Sequence, residues 1–468
     1  MSARGHLLLV VPAPTMTATP DAAPAKRSFT EALAVYLQPR VLIVMFLGFS
    51  AGLPLALSGS TLLVWMREAG VDLGTIGLFA LVGTPYTIKF LWAPLVDALD
   101  APILSRLLGR RRGWLVLSQL LLMATIVLLG FTDPASSPGT VALCALLVAA
   151  ASATQDIVID AFRVESLDPN EQAAGMASYV AAYRIGMLVS TAGALYLVTG
   201  FEDFGLTKSG AWTAGYVAMA VLVVIGIATT LVATEPETSA TAEREHSGKS
   251  PFERVWTTVV GAFYDFFFRE GMTVALVVLT FVVLFKLTDA FSGIMIAPFV
   301  IDLGFSRNEY ATIIKGVGLA ATLIGGFAGG FVARKYSLAT SLWIGGITQA
   351  LANLAFSWQA VVGRDLMWLT AAITLENFTS AIGTVIFVAY LSALCRNPLH
   401  TAMQYALLTA LAAVGRTFLS AKAGAVAQAT GWIWFYAICA AIALPSFVLL
   451  AWLQQRGHFE GLARKPKS

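Results

Sequence analysis

Of the 468 residues, 57% are hydrophobic and 12% charged, against roughly 25% charged in a soluble globular domain. Mean hydropathy is +0.76; a soluble core cannot hide that much apolar surface, so the surrounding solvent is lipid. A net charge of +3, with basic residues scattered between apolar runs, argues against a nucleic-acid partner. Cys144, Cys395 and Cys439 fall in or at the ends of apolar spans, without metal-ligand or disulfide spacing. They read as buried thiols, and neither a metal nor a cofactor is expected.

The first stretch, MSARGHLLLVVPAP, has a brief apolar run broken by Pro12 and Pro14 and shorter than a usual signal segment. Residues 1–35 read as a disordered tail rich in Ala, Pro and Thr. Beyond it come about twelve apolar segments near 40–66, 73–98, 113–133, 138–163, 171–199, 211–233, 271–298, 307–333, 339–360, 366–394, 400–427 and 430–454, each able to span a bilayer at ~20 residues per crossing. In the first, Gly52-Leu-Pro54 interrupts the helix and is followed by Ser58, Ser60 and Thr61. The second carries Lys89 in its interior and ends at Asp97; the third opens on Arg110, Arg111 and Arg112. A charge run at a membrane edge is first a topology signal; this one also resembles a degenerate major facilitator loop signature, which implies that Asp97 and these arginines latch the cytoplasmic side, and Arg163 is read as part of the same cytoplasmic gate.

The fourth span is the most informative. CALLVAAASATQDIVIDAFRVESL is apolar enough to cross, yet it carries Gln155, Asp156, Asp160 and Arg163. A carboxylate at membrane depth costs about 3 kcal/mol or more without a partner or a water-filled cavity. Residues 156, 160 and 163 share one helix face, with 160 and 163 toward the cytoplasmic interface and 156 deeper. Asp156 and Asp160 are candidate proton-coupling residues, and Glu376 of span ten is a third. The alternative is that Asp156 neutralises a neighbour such as Lys89 or Arg184.

Arg184, preceded by Tyr183, stands near the middle of span five, and Arg416 near the middle of span eleven. A guanidinium stays charged there and binds a carboxylate through two hydrogen bonds, so both suit an anionic solute; a permanent ion pair within each half is the other reading. Lys286 and Asp289, three apart on span seven, can pair on one face. Glu376 and Asn377 bring an acid and an amide to mid-span ten. Lys89, Gln155, Tyr183, Arg184, Lys286, Asp289, Asn377, Gln404 and Arg416 form the candidate substrate-binding set. Lys315 and Lys422 are further basic residues inside spans. Tyr86 reads as a packing aromatic with a possible role in sugar stacking, and the Gly pairs at 325–326 and 329–330 as helix packing.

Residues 234–270 are a polar linker followed by an amphipathic segment, PFERVWTTVVGAFYDFFFREG, suited to a membrane surface. They divide the chain into a six-helix half at 36–233 and a second at 271–455, with a basic tail at 456–468. AAYRIG in span five and AAVGRT in span eleven hint at a parallel repeat. The loops that face one way hold Arg40, Arg106, Arg110, Arg111, Arg112, Arg334, Lys335 and Arg456, among others; those that face the other way hold Arg67, Lys208, Arg307 and Arg364. The positive-inside rule then places both termini in the cytoplasm. No nucleotide-binding loop, zinc-protease motif or serine-hydrolase elbow occurs, so a secondary transporter rather than an enzyme or a primary pump is expected, with energy drawn from an ion gradient.

Taken together, FLGFSAGLPLALSGSTLLVWM, FLWAPLVDAL before GRRRGW, SATQDIVIDAFRVESL, YRIGMLVS and QYALLTALAAVGR resemble the AmpG muropeptide permeases, over about residues 38–455. The resemblance implies an all-α membrane protein of the major facilitator fold in a bacterial inner membrane. It implies proton-coupled import of anionic 1,6-anhydro-muropeptides, which feeds cell-wall recycling and can influence β-lactamase induction. Some of that family carry two further spans after the twelfth. Carriage of another bulky anion, such as an acyl-coenzyme A or a siderophore, and a non-transporting role in pigment-complex assembly are the alternatives.

Overall fold

The computed structural model describes residues 34–168, 171–236, 271–394 and 401–463, without the side chains at 94, 97, 98, 173, 401–407, 461 and 463. The amphipathic part of the linker and the N-terminal tail lie outside the described residues. Those described are helical, with no strand among them.

Ten stretches are long and apolar enough to cross a membrane. They are α1 (Pro39–Glu68), α2 (Leu73–Leu91), α3 (Arg110–Gly130), α4 (Pro138–Ser166), α5 (Ala174–Asp203), α6 (Lys208–Val232), α7 (Met272–Asp302), α8 (Arg307–Lys335), α10 (Leu366–Leu394) and Leu408–Gln455. The last is 48 residues long, more than twice what a bilayer needs at ~1.5 Å per residue. It turns at Gly431, whose backbone (φ 74°, ψ 166°) is open only to a residue without Cβ. It therefore contributes α11 (401–430) and α12 (432–455). Leu338–Val362 is a further helix of 25 residues, α9, which carries the buried polar residues Gln349, Asn353 and Gln359. It packs between α10 and the last two helices. Among the described residues this makes twelve helices of crossing length.

Four of the described helices carry 3-10 or π turns. In α2, 3-10 turns at Phe79–Gly83 and Lys89–Leu91 flank Pro85. The expected span 73–98 accordingly ends early, and Ala93–Ala98 forms a separate short helix with proline in its first turn. In α5, α8 and α11, π turns occupy Val189–Gly193, Ala311–Val317 and Gly415–Leu419. These are the helices through which the first six meet the last six, α2 on α11 and α5 on α8. In α1, Pro54 lies inside the helix, the Ser58 hydroxyl donates to the Pro54 carbonyl (2.9 Å), and the helix breaks before Ser60.

Close approach is secured by missing side chains. A Cβ at Gly52 of α1 would stand 2.1 Å from the Tyr183 carbonyl oxygen of α5. One at Gly424 of α11 would stand 1.8 Å from the Leu73 carbonyl oxygen of α2. Gly325 and Gly329 of α8 face α10 in the same way, while Gly326 and Gly330 face open space.

Candidate functional site

The residues singled out along the sequence converge on two polar clusters, one in each set of six helices. In the first, α2 and α4 run side by side in the same direction, registered where the Trp92 indole N–H donates to the Thr154 hydroxyl (3.2 Å). One turn before Trp92, Lys89 lies 4.0 Å from Asp156, whose side chain is 14% exposed. Farther along α4, Arg163 pairs with Asp160 at 3.6 Å. Tyr179 and Tyr183 of α5 stand within electrostatic reach of Asp156. The Asp156 Oδ1 atom is buried without a hydrogen-bond partner, as are both amide atoms of fully buried Gln155.

In the second cluster the Lys286 ammonium donates to Asp289 of α7 (2.6 Å) and to the Thr384 hydroxyl of α10 (3.0 Å). Ser380 of α10 donates to the other Asp289 oxygen (2.9 Å). Glu376, one turn before Ser380 and 6% exposed, lies within electrostatic reach of Asp289, Lys286 and Lys315 of α8. Asn377 is engaged in helix packing: its carbonyl oxygen accepts from Thr322 of α8 (3.1 Å) and its amide donates to the Ile373 carbonyl (3.0 Å). Gln404 lies on α11 and Asp97 on the short helix Ala93–Ala98.

Arg184 and Arg416 differ from the other interior charges. Both are exposed, and among the described residues neither has a hydrogen bond or ion pair. Arg416, in the π turn of α11, lies within electrostatic reach of both Asp289 and Tyr183. It therefore looks toward both clusters across the gap between the two sets of helices. A π turn widens a helix by one residue and is frequent at functional positions.

One end of this gap is closed. At the face away from the chain's two ends, Arg307 of α8 is held by Glu68 of α1 (2.9 Å) and Glu202 of α5 (3.1 Å), and its guanidinium lies 5.4 Å over the Trp212 ring. Lys208 also reaches Glu68 (3.9 Å). Arg67 pairs with Asp302, which further accepts from the Trp432 indole (3.1 Å). The Thr199 hydroxyl donates to Asn308 (3.0 Å), and Tyr196 meets Thr312. Mid-membrane, the Thr87 and Thr417 hydroxyls meet at 3.1 Å. The contacts of Arg307, Arg67, Thr199, Tyr196 and Thr87 join the first six helices to the last six, while Lys208–Glu68 and Trp432–Asp302 brace each side from within.

At the opposite face Arg111 and Arg112, which follow α2, bind groups of the first six. Arg111 donates to Glu165 at the end of α4 (2.9 and 2.5 Å). Arg112 donates to the Thr230 and Leu231 carbonyls that end α6 (3.0 and 2.7 Å). Glu235 accepts the backbone N–H groups of Arg111 (2.7 Å) and Arg112 (3.0 Å), so it caps the positive end of α3. Arg110 starts the same helix.

A polar gap between two six-helix sets, sealed at one end and lined by unpaired cations and buried carboxylates, is the architecture of a carrier. The Major Facilitator Superfamily model matches residues 44–401. The chain belongs to the major facilitator superfamily. This major facilitator is 39% identical over 419 residues to the anhydromuropeptide permease of Escherichia coli K12, a match covering 89% of this chain and 80% of that one. It is 35% identical over 424 residues to a putative AmpG transporter of Rickettsia felis, covering 90% and 98%. Among solved structures it superposes on a D-xylose–proton symporter at a TM-score of 0.61 (14% identity, 88% of this chain and 97% of that one). With a peptide transporter of the POT family the TM-score is 0.64 (11% identity, 91% and 96%). It is a membrane transporter rather than an enzyme.

The acids that close the far face, Glu68, Glu202 and Asp302, were not among the residues the sequence pointed to. Their signal was present: each ends a span on the side where basic residues are scarce, and Arg67, Lys208 and Arg307 stand on that same side. What the sequence lacked was the pairing across the fold.

Proposed function

We propose that this chain imports anhydro-muropeptides from the periplasm to the cytoplasm of a bacterium, across the inner membrane and coupled to protons. The 39% identity to the Escherichia coli anhydromuropeptide permease, over 89% of this chain, carries this reading. The excess of Lys and Arg on the face bearing both chain ends makes that face cytoplasmic, so the sealed end is periplasmic and the conformation faces inward. Arg184 and Arg416, charged and unpaired, suit the carboxylates of a stem peptide. Asp156, with Asp160 beside it and Lys89 at 4.0 Å, is the proton-coupling site in the first half; Glu376, near Lys286, Asp289 and Lys315, is its counterpart in the second. Arg163 and the Arg110, Arg111, Arg112 run with Asp97 belong to the cytoplasmic gate, and the two halves rock about the midplane. Residues 36–233 and 271–455 are those halves, joined by 234–270.

The test is uptake of labelled anhydro-muropeptide into proteoliposomes with and without an inward proton gradient. Accumulation that depends on the gradient and disappears in Asp156→Asn is expected. Uptake by the wild type that ignores the gradient removes the coupling, and no uptake removes the cargo.

A further inference from the structure

The carboxyl of Asp156 has a second side that the ion pair with Lys89 does not occupy. Lys89 and Tyr86 are one turn apart on α2, and Asp156 and Ser152 one turn apart on α4. The two helices lie together and parallel, and the 4.0 Å contact between Lys89 and Asp156 brings this stretch of α2 onto this stretch of α4. The Tyr86 hydroxyl lies within reach of Ser152 and within electrostatic reach of Asp156 and Tyr183. Yet Tyr86 Oη, Ser152 Oγ and Asp156 Oδ1 are all buried with no hydrogen-bond partner, and Ser152 is 1% exposed. Orphans are rare, because each unpaired buried group costs ~1–3 kcal/mol. Groups of this kind are normally satisfied by an ordered water that makes about three hydrogen bonds.

We propose that Tyr86 and Ser152 are positioning residues for proton coupling: with one bridging water they form the inner wall of the Asp156 site and hold its Oδ1 atom by hydrogen bonds. The inference rests on the reading of Asp156 as the coupling carboxyl and adds to it the groups that orient that carboxyl. In the ionised state the Tyr86 hydroxyl and the water donate to Oδ1. When Asp156 takes a proton that entered from the periplasm in the outward-open state, the carboxyl O–H donates back to the water and the hydroxyls rotate; the proton then leaves to the cytoplasm through the face that is open here. No bond other than the O–H bonds changes. The remaining groups around the carboxyl are Lys89 on α2, Asp160 and Arg163 on α4, and Tyr179 and Tyr183 on α5. Of these, Tyr183 also lies within electrostatic reach of Tyr86.

Infrared spectroscopy of the purified protein without cargo tests the geometry. The carboxyl bands of Asp156, identified by their loss in Asp156→Asn, shift in frequency in Tyr86→Phe and in Ser152→Ala. Bands that stay in place in both variants overturn the proposal, whatever the cargo turns out to be. In proteoliposomes, Tyr86→Phe lowers gradient-driven accumulation roughly tenfold, the worth of a hydrogen bond to a charged group, and lowers it by a larger factor than it lowers cargo counterflow. An equal fall in both rates assigns Tyr86 to packing and overturns the role. Shifted bands beside a wild type that shows no gradient-driven uptake leave the wall of the site intact and remove only the coupling reading.

Discussion

Replacing Arg307 by alanine should open the sealed face. The guanidinium is 10% exposed and binds two carboxylates, Glu68 (11% exposed) and Glu202 (28% exposed). Removing one partner of a buried ion pair costs about 3–5 kcal/mol, because the other charge is left uncompensated. Glu202 keeps some contact with solvent and Lys208 still reaches Glu68 at 3.9 Å, so a loss of about 2–3 kcal/mol is the better figure. The contacts exist only while α1 and α5 meet α8, so the loss falls on the closed state. At 1.4 kcal/mol per factor of ten, the equilibrium moves roughly 30- to 150-fold toward opening at this face. The assay is a single cysteine at Thr199, in the seam beside Asn308, in a background with Cys144, Cys395 and Cys439 replaced by serine. In intact cells its labelling by an impermeant maleimide should accelerate at least about tenfold in Arg307→Ala. Adding Glu68→Gln should recover part of the closed population, since it removes an uncompensated charge. Labelling of Arg307→Ala at the rate of its parent, in protein that elutes as a single monodisperse peak, would refute the latch.

Arg416→Ala should raise KM for a carboxylated cargo by roughly tenfold or more, the value of one charge-assisted pair, and leave a neutral amidated analogue unaffected; equal losses for both would remove its role in anion binding. Gly424→Ala places a Cβ 1.8 Å from the Leu73 carbonyl, which α2 and α11 can relieve only by separating. Overpacking of this kind costs about 1–3 kcal/mol, so the melting temperature should fall, while Gly139→Ala, which meets nothing within 4 Å, should not change it. Asp72 caps the start of α2, accepting from the Thr75 hydroxyl (2.6 Å) and the Thr75 N–H (2.9 Å). These hydrogen bonds hold its carboxyl below the usual carboxylate range. The cap therefore stabilises fully above the unfolded value, about pH 4, and its contribution is lost as pH falls through the lowered folded value. Asp72→Ala should cost about 1 kcal/mol in thermal melts at neutral pH, with the difference from wild type shrinking in acid.

Much of the molecule was legible along the chain because lipid imposes a one-dimensional rule. Backbone groups in hydrocarbon must pair locally, so each apolar run of sufficient length is a helix, and an acid or base inside one stands out against it. That rule marks the spans and the interior charges Lys89, Asp156, Arg184, Lys286, Asp289, Glu376 and Arg416. It even yields the Lys286–Asp289 pair, since three residues on one helix bring side chains together without help from the fold. It does not say which face of a span meets another span. Asn377 looked suited to a cavity, yet its amide packs against α8. Arg67 and Arg307, which register in the sequence only as scarce positive charge, close one face through partners 235 and 239 positions away in the chain. Tyr86 read as an aromatic until α4 set Ser152 and Asp156 against its hydroxyl. Composition and periodicity are properties of neighbours along the chain and determined how often it crosses and what each crossing carries. Pairing between crossings depends on packing angles and on where a glycine lets two backbones touch, and only the tertiary structure decided it.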